Sequence, residues 1–279
     1  MKLAACVALT LLFASSWAAP VRAQAAISPQ YYDLGLAEAQ GTHAFRIHNY
    51  TKAPKQVQVS VLPWRMDEDG QPQMLEPAAT TLDQWVVVNP VTFTVAGESS
   101  QAVRFSIRPA VDLPPGEHRV MLIFDEILPK PIPEGQLRAR FQFRSAVYVQ
   151  VGTPDRSTEF AGFEADGTGA RITLRNVGSA NARFRGQYAI WPQDKFPGVA
   201  ATALVPGIDQ PGFVAPAGTL ALANLPSQPV LPGDTRVIRL AFPVGLEPGR
   251  YVLDLNGTLG GKALDREFGF EVAPASAPD

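Results

Sequence analysis

Cysteine is nearly absent from this chain, because the one cysteine, Cys6, lies close to the N-terminus. Lys2 precedes an apolar run over residues 3–14, which has the length of an export signal and is too short to cross a membrane as a helix. Small residues at 23–25 (Ala-Gln-Ala) form a cleavage site, and residues 21–23 (Val-Arg-Ala) form a second one. We expect residues 1–25 to be a signal peptide, and the mature chain, exported to the periplasm or beyond, to have neither a disulfide nor a transmembrane segment.

An excess of charge of either sign is also lacking. Charged residues make up 18% of the chain and the formal net charge is -2 at pH 7, so loss of Lys2 and Arg22 with the leader leaves -4. Binding to nucleic acid depends on neutralising phosphates, which a mildly acidic protein does poorly. We therefore expect no nucleic-acid partner.

Residues that usually carry catalysis are few and badly placed. Of three histidines, His43 and His48 are five positions apart on one predicted strand, and they therefore point to opposite faces. Asp125 and Glu126 are adjacent, so they do not converge on one bond as paired catalytic carboxylates must. The glycine-rich residues 257–261 lie between two strand patterns, which favours a hairpin turn over a phosphate loop. We expect no enzyme, metal, cofactor or small-molecule substrate.

Proline, glycine and alternating apolar residues are abundant. The chain has 26 prolines, 23 glycines and 46% hydrophobic residues, a composition that supplies both turns and a core. No stretch keeps a helical period, whereas apolar residues alternate repeatedly along short segments. The segments predicted as strands are residues 43–49, 56–62, 102–108, 119–124, 137–151, 171–176, 183–191, 236–242, 251–256 and 267–272. This pattern predicts an all-β fold of two tandem immunoglobulin-like β-sandwich domains.

An internal sequence repeat supports two domains of one type. Residues 96–122 and 232–254 both show a turn, a strand, a Leu-x-Pro-Gly turn and another strand. We interpret the Pro-Gly motif as the turn between two consecutive antiparallel strands. The predicted domains are residues 26–152 and 153–279. Residues 66–84 and 195–216 are predicted loops, long enough to need a functional or mechanical reason.

The most regular segment is the predicted strand at residues 137–151. One face carries Leu137, Ala139, Phe141, Phe143, Ser145, Val147, Val149 and Val151, and the other carries Arg138, Arg140, Gln142, Arg144, Tyr148 and Gln150. Its length is more than twice that of an ordinary strand. One interpretation is a long structural strand with a core-facing side. The more specific interpretation is an edge strand that pairs with another chain. An unpaired apolar edge promotes aggregation, so such an edge is expected only where it has a partner.

In this context the first half resembles the periplasmic pilus chaperones, the PapD-like family. The resemblance spans about residues 26–151 and rests on Ile27-Ser28-Pro29, Phe45 to Asn49, Val103-Arg104-Phe105, residues 119–129 and the long strand. It implies a periplasmic chaperone whose strand completes a pilus or fimbrial subunit, with Leu137, Ala139, Phe141 and Phe143 as the donated residues. It also implies an outer-membrane usher as a further partner.

The same resemblance implies an anchor for the subunit's C-terminal carboxylate. The family uses an Arg on the first strand and a Lys late in the long strand, and Tyr31 and Ala146 occupy those positions here. Arg144 faces the same side as Ala146, so Arg144 and Tyr31 are the expected anchor.

Two other functions remain open at this stage. The missing basic pair and the longer second half favour a structural or adhesive protein with tandem immunoglobulin-like domains. A carbohydrate-binding or hydrolytic sandwich would need a row of exposed tryptophans or converging carboxylates. We expect Trp64, Trp85 and Trp191 to belong to the cores instead.

Overall fold

The computed structural model of the chain describes residues 23–67, 70–128, 140–243 and 245–274. Within these residues the fold is almost entirely β. The first half contains β1 (Ala25–Ser28), β2 (Tyr32–Gly35), the short helix α1 (Leu36–Ala39), β3 (His43–Asn49), β4 (Lys55–Leu62), β5 (Trp64–Met66), β6 (Pro72–Met74), β7 (Val86–Asn89), β8 (Thr92–Val95), β9 (Ser99–Ile107), β10 (Gly116–Ile127) and β11 (Gln142–Val151). The second half contains β12 (Thr158–Ala165), β13 (Gly169–Asn176), β14 (Ala182–Pro192), β15 (Ala221–Asn224), β16 (Pro229–Val230), β17 (Thr235–Ala241), β18 (Gly249–Leu259) and β19 (Lys262–Val272).

Each half forms a sandwich with immunoglobulin-like strand order. In the first, the sheet β1-β3-β9-β7 faces the sheet β2-β11-β10-β4-β8. In the second, β12-β13-β17 faces β15-β14-β18-β19, and β16 also pairs with β14. In immunoglobulin-like domains the second and fifth strands lie in one sheet, and the third, sixth and seventh lie in the other. The first two correspond to β3 and β9 in the first half and to β13 and β17 in the second. The other three correspond to β4, β10 and β11, and to β14, β18 and β19. The predicted fold of two tandem immunoglobulin-like sandwiches is confirmed.

Alternation along the strands builds each core. In β3, Phe45 and Ile47 are fully buried while Arg46 between them is exposed. The run Val120–Phe124 in β10 is apolar without alternation because both of its faces are covered. Its even-numbered members face the first core, whereas Met121 and Ile123 join a second cluster with Trp64 and Tyr148.

The internal sequence repeat corresponds to equivalent hydrogen bonds in the two sandwiches. Asn49, at the end of β3, and Asn176, at the end of β13, are each 1% exposed and donate from their side-chain amides to backbone carbonyls across the sandwich. His118 and Tyr251 occupy equivalent places after the two Leu-x-Pro-Gly motifs, and each bonds the backbone oxygen four residues earlier. The Tyr251 bond is the tyrosine corner of immunoglobulin-like domains.

The Leu-x-Pro-Gly motif joins two consecutive strands in each half, as interpreted from the sequence, but these strands do not form a hairpin. In both halves the strands that it joins, β9 to β10 and β17 to β18, lie in opposite sheets of the sandwich. The turn therefore carries the chain across the core and does not close a pair of neighbouring strands. The glycine-rich turn after β18 is a true hairpin: Gly260 and Gly261 have φ angles of +59° and +83°, which residues with a Cβ adopt with strain.

The two sandwiches are joined by a buried carboxylate. The side chain of Glu117, on β10, is fully buried, and its Oε2 accepts bonds from the backbone N–H and the side-chain amide of Asn181 at 2.6 and 2.7 Å. Gln150 donates to the same oxygen at 3.0 Å, and Arg119 lies 3.2 Å from Oε1. Nearby, Arg156 forms an ion pair of 2.7 Å with Asp33 of β2. The interface therefore contains charged groups that each bond residues of the other sandwich.

Replacing Glu117 with Gln should weaken this interface. The amide would present its NH₂ group to at least one of the donors that now surround the carboxylate, so hydrogen bonds to a charged group are lost. We expect the free energy of unfolding to fall by about 1.5–3 kcal/mol, measured by urea unfolding. Glu271→Gln, at an exposed position on β19, is the matched control and should change little. An unchanged midpoint for Glu117→Gln would contradict the role given to this carboxylate.

Candidate functional site

The outer edge of β11 is only partly paired. β10 pairs with all ten residues of β11, from Gln142 to Val151, while β2 runs parallel along Val147–Gln150 alone. Among the described residues, no strand lies beside the outer edge of residues 142–146. We call this segment the free edge. Its backbone groups are placed to continue the sheet into another chain.

The expected strand at residues 137–151 begins later than predicted. β11 starts at Gln142, and Leu137 and Ala139 lie outside the described residues. Phe141 is not part of the strand: its carbonyl still accepts a bond from the Glu126 N–H at 3.1 Å, but its own N–H donates to the Glu126 carboxylate at 3.1 Å and not to a backbone carbonyl. The prediction of a continuous strand was therefore wrong at residues 140 and 141.

Phe141 and Phe143 lie at the border of the first core. Both are half-buried, pack against the core cluster and have ring centroids 4.9 Å apart. They are neither enclosed nor free of their own sandwich. Phe143 lies within the free edge and Phe141 directly precedes it, and their role as donated residues stays a prediction.

A buried ion pair fixes the approach to the free edge. Lys55 Nζ lies 2.7 Å from Glu126 Oε1, and the two side chains are only 10% and 8% exposed. The other oxygen of Glu126 receives the Phe141 N–H, and Lys55 Nζ is 5.7 Å from the Phe141 ring centre. This pair therefore ties β4, β10 and the chain entering β11 at one point.

The face of β11 predicted to be polar is buried in its second half. Tyr148 is 1% exposed and Gln150 6%, because the second sandwich and β5 cover them. Leu231 and Trp64 pack in the cluster that holds Tyr148. Burial raises the pKa of Tyr148 to about 12, so the phenol stays neutral. The alternating polar residues predicted an exposed face, which is wrong here because residues distant in sequence pack against it.

A cleft of about 330 Å³ lies between the sandwiches and reaches the free edge. Tyr31 and Arg144, the expected anchor, both line this interdomain cleft. Arg144 is exposed, and its Nε donates to Gln142 Oε1 at 2.9 Å. The Tyr31 hydroxyl accepts a bond of 2.9 Å from Arg185. The structure therefore brings the two predicted residues together, while their function stays a prediction.

Arg183 is a further cleft residue that the sequence analysis missed. Its guanidinium lies 4.0 Å from the Tyr31 ring centre and donates to the Tyr148 hydroxyl at 3.0 Å and the Ser227 carbonyl at 2.9 Å. Among the described residues it has no carboxylate within ion-pair distance. Sequence distance hid this residue, since Arg183 and Tyr31 lie in different sandwiches.

The polar groups of the interdomain cleft favour an anion. Arg144 and Arg183 both line the cleft, beside the largely apolar side chains of Tyr31, Trp64 and Tyr148. Guanidinium groups match the oxygens of a carboxylate. The arrangement can therefore hold a carboxylate beside an added strand.

Other kinds of site find less support. No group of three or more metal-ligating side chains occurs in the described part of the chain, and no helix there could cross a membrane. His43 and His48 bond the Glu38 carbonyl and the Ser28 hydroxyl. Trp64 and Trp191 are 3% and 6% exposed, so neither offers an open platform for stacking a sugar.

Comparisons with known proteins give similarity in structure only. No protein-family model matches the chain, and no curated protein matches it. Similar solved structures include the YadV chaperone, with 11% identity over 89% of this chain and 100% of that one at a TM-score of 0.46. The Pseudomonas aeruginosa CupB2 chaperone has 11% identity over 90% and 100%, with a TM-score of 0.42. The E. coli chaperone DraB has 15% identity over 89% and 98%, also at 0.42. At identities of this order a likeness concerns the fold and says nothing of a binding partner.

Proposed function

We propose that the protein is a periplasmic chaperone that caps an incomplete immunoglobulin-like subunit of a pilus or fimbria by lending it the strand β11. The observation that carries this proposal is the free edge at residues 142–146, which lies beside a cleft lined by Arg144 and Arg183. The sequence resemblance of residues 26–151 to the pilus chaperones supports it independently.

Capping would use the backbone and the side chains of β11 together. The outer backbone groups of residues 142–146 would pair with the open sheet of the subunit, as in other cases of strand addition. Phe141 and Phe143 would enter the subunit groove, together with Leu137 and Ala139 from the preceding segment. Burying a large apolar side chain contributes about 1.5–3 kcal/mol, so a few of them suffice for a stable complex.

The interdomain cleft would hold the subunit's C-terminal carboxylate. Arg183 is the best-placed anchor, because its planar guanidinium is already oriented by Tyr31 and Tyr148 and has no acidic partner among the described residues. Arg144 lies in the same cleft, on the free edge itself. A carboxylate bound there would set the register in which the subunit strand adds to β11.

Expression with candidate subunits tests the function directly. The full chain with a C-terminal tag, purified from the periplasm, should bring down a small subunit that lacks one strand of its sandwich, identified by mass spectrometry. Purification without any such subunit, together with display of the protein at the cell surface, would favour the structural or adhesive alternative.

Arg183→Gln tests the anchor. We expect it to weaken binding of a peptide with the subunit's C-terminal sequence by about 10- to 100-fold, because a charge-assisted hydrogen bond contributes about 1.5–3 kcal/mol. Fluorescence polarisation would measure the affinity, and Arg239→Gln, at an exposed position on β17, is the matched control.

The terminal carboxylate itself supplies the second half of this test. Amidation of the peptide should weaken its binding to the unmodified protein by a similar factor, and should have little further effect on Arg183→Gln. Equal losses on amidation in both proteins would show that the carboxylate binds elsewhere.

A further inference from the structure

A second concave site lies in the other sandwich, away from β11. A cavity of about 280 Å³ separates the outward face of the sheet β15-β14-β18-β19 from the long loop predicted at residues 195–216. The loop is held over the sheet by Gln187, whose side-chain amide bonds the Val205 carbonyl at 2.6 Å and the Val205 N–H at 2.8 Å. We call this space the loop cavity. The loop that covers the cavity is fixed by these two hydrogen bonds. The proposed chaperone function does not use the loop cavity.

Two buried polar atoms on residues that line the loop cavity have no hydrogen-bond partner in the described part of the chain. Asp254, on β18, is 1% exposed, and its Oδ2 accepts a bond of 2.9 Å from the Asn256 side chain. Its Oδ1 and the indole Nε1–H of Trp191 are buried, and neither has a hydrogen-bond partner among the described residues. A buried carboxylate oxygen without a donor is costly, which makes it a marker for a bound group.

The surroundings of Asp254 are acidic. Glu267 and Asp265, on β19, lie opposite Asp254 and Asn256 on the same face of the sheet, and neither forms an ion pair among the described residues. The neighbouring positions on β14 and β15 and in the loop are uncharged where they line the cavity. Burial raises the pKa of Asp254; the nearby Thr202 hydroxyl and Asn256 amide act to lower it, and Asp265 and Glu267 act to raise it. Asp254 is therefore the one charged side chain among the described residues that line the cavity, and its nearest charged neighbours on β19 are also acidic.

The rest of the wall is apolar. Trp191, Leu204 and Leu222 line the loop cavity together with alanine and proline side chains. Ligand sites typically combine such walls with a few placed polar groups, and a volume near the lower end of their range suits a compact ligand.

We propose that the loop cavity binds a compact organic cation, a primary ammonium group on an apolar body, either as a free amine or as a lysine side chain of a peptide. The ammonium group donates to Asp254 Oδ1, and the apolar body lies against Trp191 and Leu222. The loop cavity shares no residue with the free edge, so a test of amine binding does not depend on the proposed chaperone function.

Titration of the full protein with 2-phenylethylammonium tests the site. Saturable shifts of the Trp191 indole N–H signal in ¹H–¹⁵N spectra are expected, and 2-phenylethanol, a neutral molecule of similar size and shape, should bind at least tenfold more weakly. Asp254→Asn should weaken binding of the amine at least tenfold, while Asp112→Asn, an exposed charge on the first sandwich, should leave it unchanged. Equal binding of amine and alcohol, or no saturable shift with either, would overturn the proposal.

Two additions keep the test decisive. If Asp254→Asn lowers the melting temperature strongly, Leu222→Phe serves instead, because it narrows the cavity from a half-buried position and should block the amine. Retained binding in a folded Leu222→Phe variant would count against the site. N-acetyl-lysine methylamide, run beside the free amine, separates the two sources: tighter binding of the lysine derivative assigns the site to a peptide, and tighter binding of the amine assigns it to a small molecule.

Discussion

Replacing Phe143 with Asp is expected to abolish co-purification of a pilus subunit while the protein itself stays folded. Phe143 lies within the free edge and is half-buried at the border of the first core. In the capped complex an aspartate there would lose about 1.5–3 kcal/mol of apolar burial and would also place a carboxylate in an apolar groove. Affinity should therefore fall by about 100-fold or more, measured by pull-down and by titration with the purified subunit.

Controls separate binding from folding at this position. Phe143→Leu keeps an apolar side chain and should retain most of the subunit binding. Val87→Asp places the same charge at a valine that is 58% exposed on β7, in the other sheet of the first sandwich. It should not affect co-purification. Persistent co-purification with a folded Phe143→Asp protein would show that β11 is not the donated strand.

Lys55→Met is expected to cause the largest loss of stability. It removes the partner of Glu126 and leaves a carboxylate that is 8% exposed without its cation. Breaking a buried ion pair from one side costs about 3–5 kcal/mol, and urea unfolding of the purified protein would measure the loss. The N–H of Phe141 also depends on this carboxylate, so the chain that enters β11 should lose order as well.

The double variant Lys55→Met/Glu126→Gln gives the sharper comparison. Removing both charges leaves no uncompensated ion, so we expect the double variant to be more stable than Lys55→Met alone. Lys52→Met, in the loop that precedes β4, removes an exposed lysine and should shift the midpoint only slightly. A loss below about 1 kcal/mol for Lys55→Met would mean that the pair behaves like a solvent-exposed one.

Alternation predicted the long strands because each has one face on its own core. β3 was predicted at its observed bounds, and β4 differs by one residue at its start. β1 and β2 were missed, since each has only four residues, which is too short for an alternation of apolar and polar side chains to be recognised. β2 also depends on a parallel pairing with β11, more than a hundred residues away, which no local pattern encodes.

The site was predictable only in part, for the same reason. Phe141 and Phe143 stand out because they continue the alternation of β11, whereas the burial of Tyr148 depends on Leu231 from the second sandwich. Tyr31 and Arg144 came from the resemblance, and Arg183 could be recognised only once the two sandwiches were placed together. Local sequence thus indicates which strand is unusual, and tertiary packing decides what surrounds it.

The carboxylate of Glu117 has a consequence for the kinetics of the proposed subunit binding. Because its bonds to Asn181, with the Arg156–Asp33 ion pair, hold the sandwiches together in the unbound protein, the cleft exists before any partner arrives. A preorganised receptor loses little conformational entropy on association, so hinge closure does not limit the encounter. Substitutions in the cleft should then act chiefly on the dissociation rate and leave the association rate nearly constant.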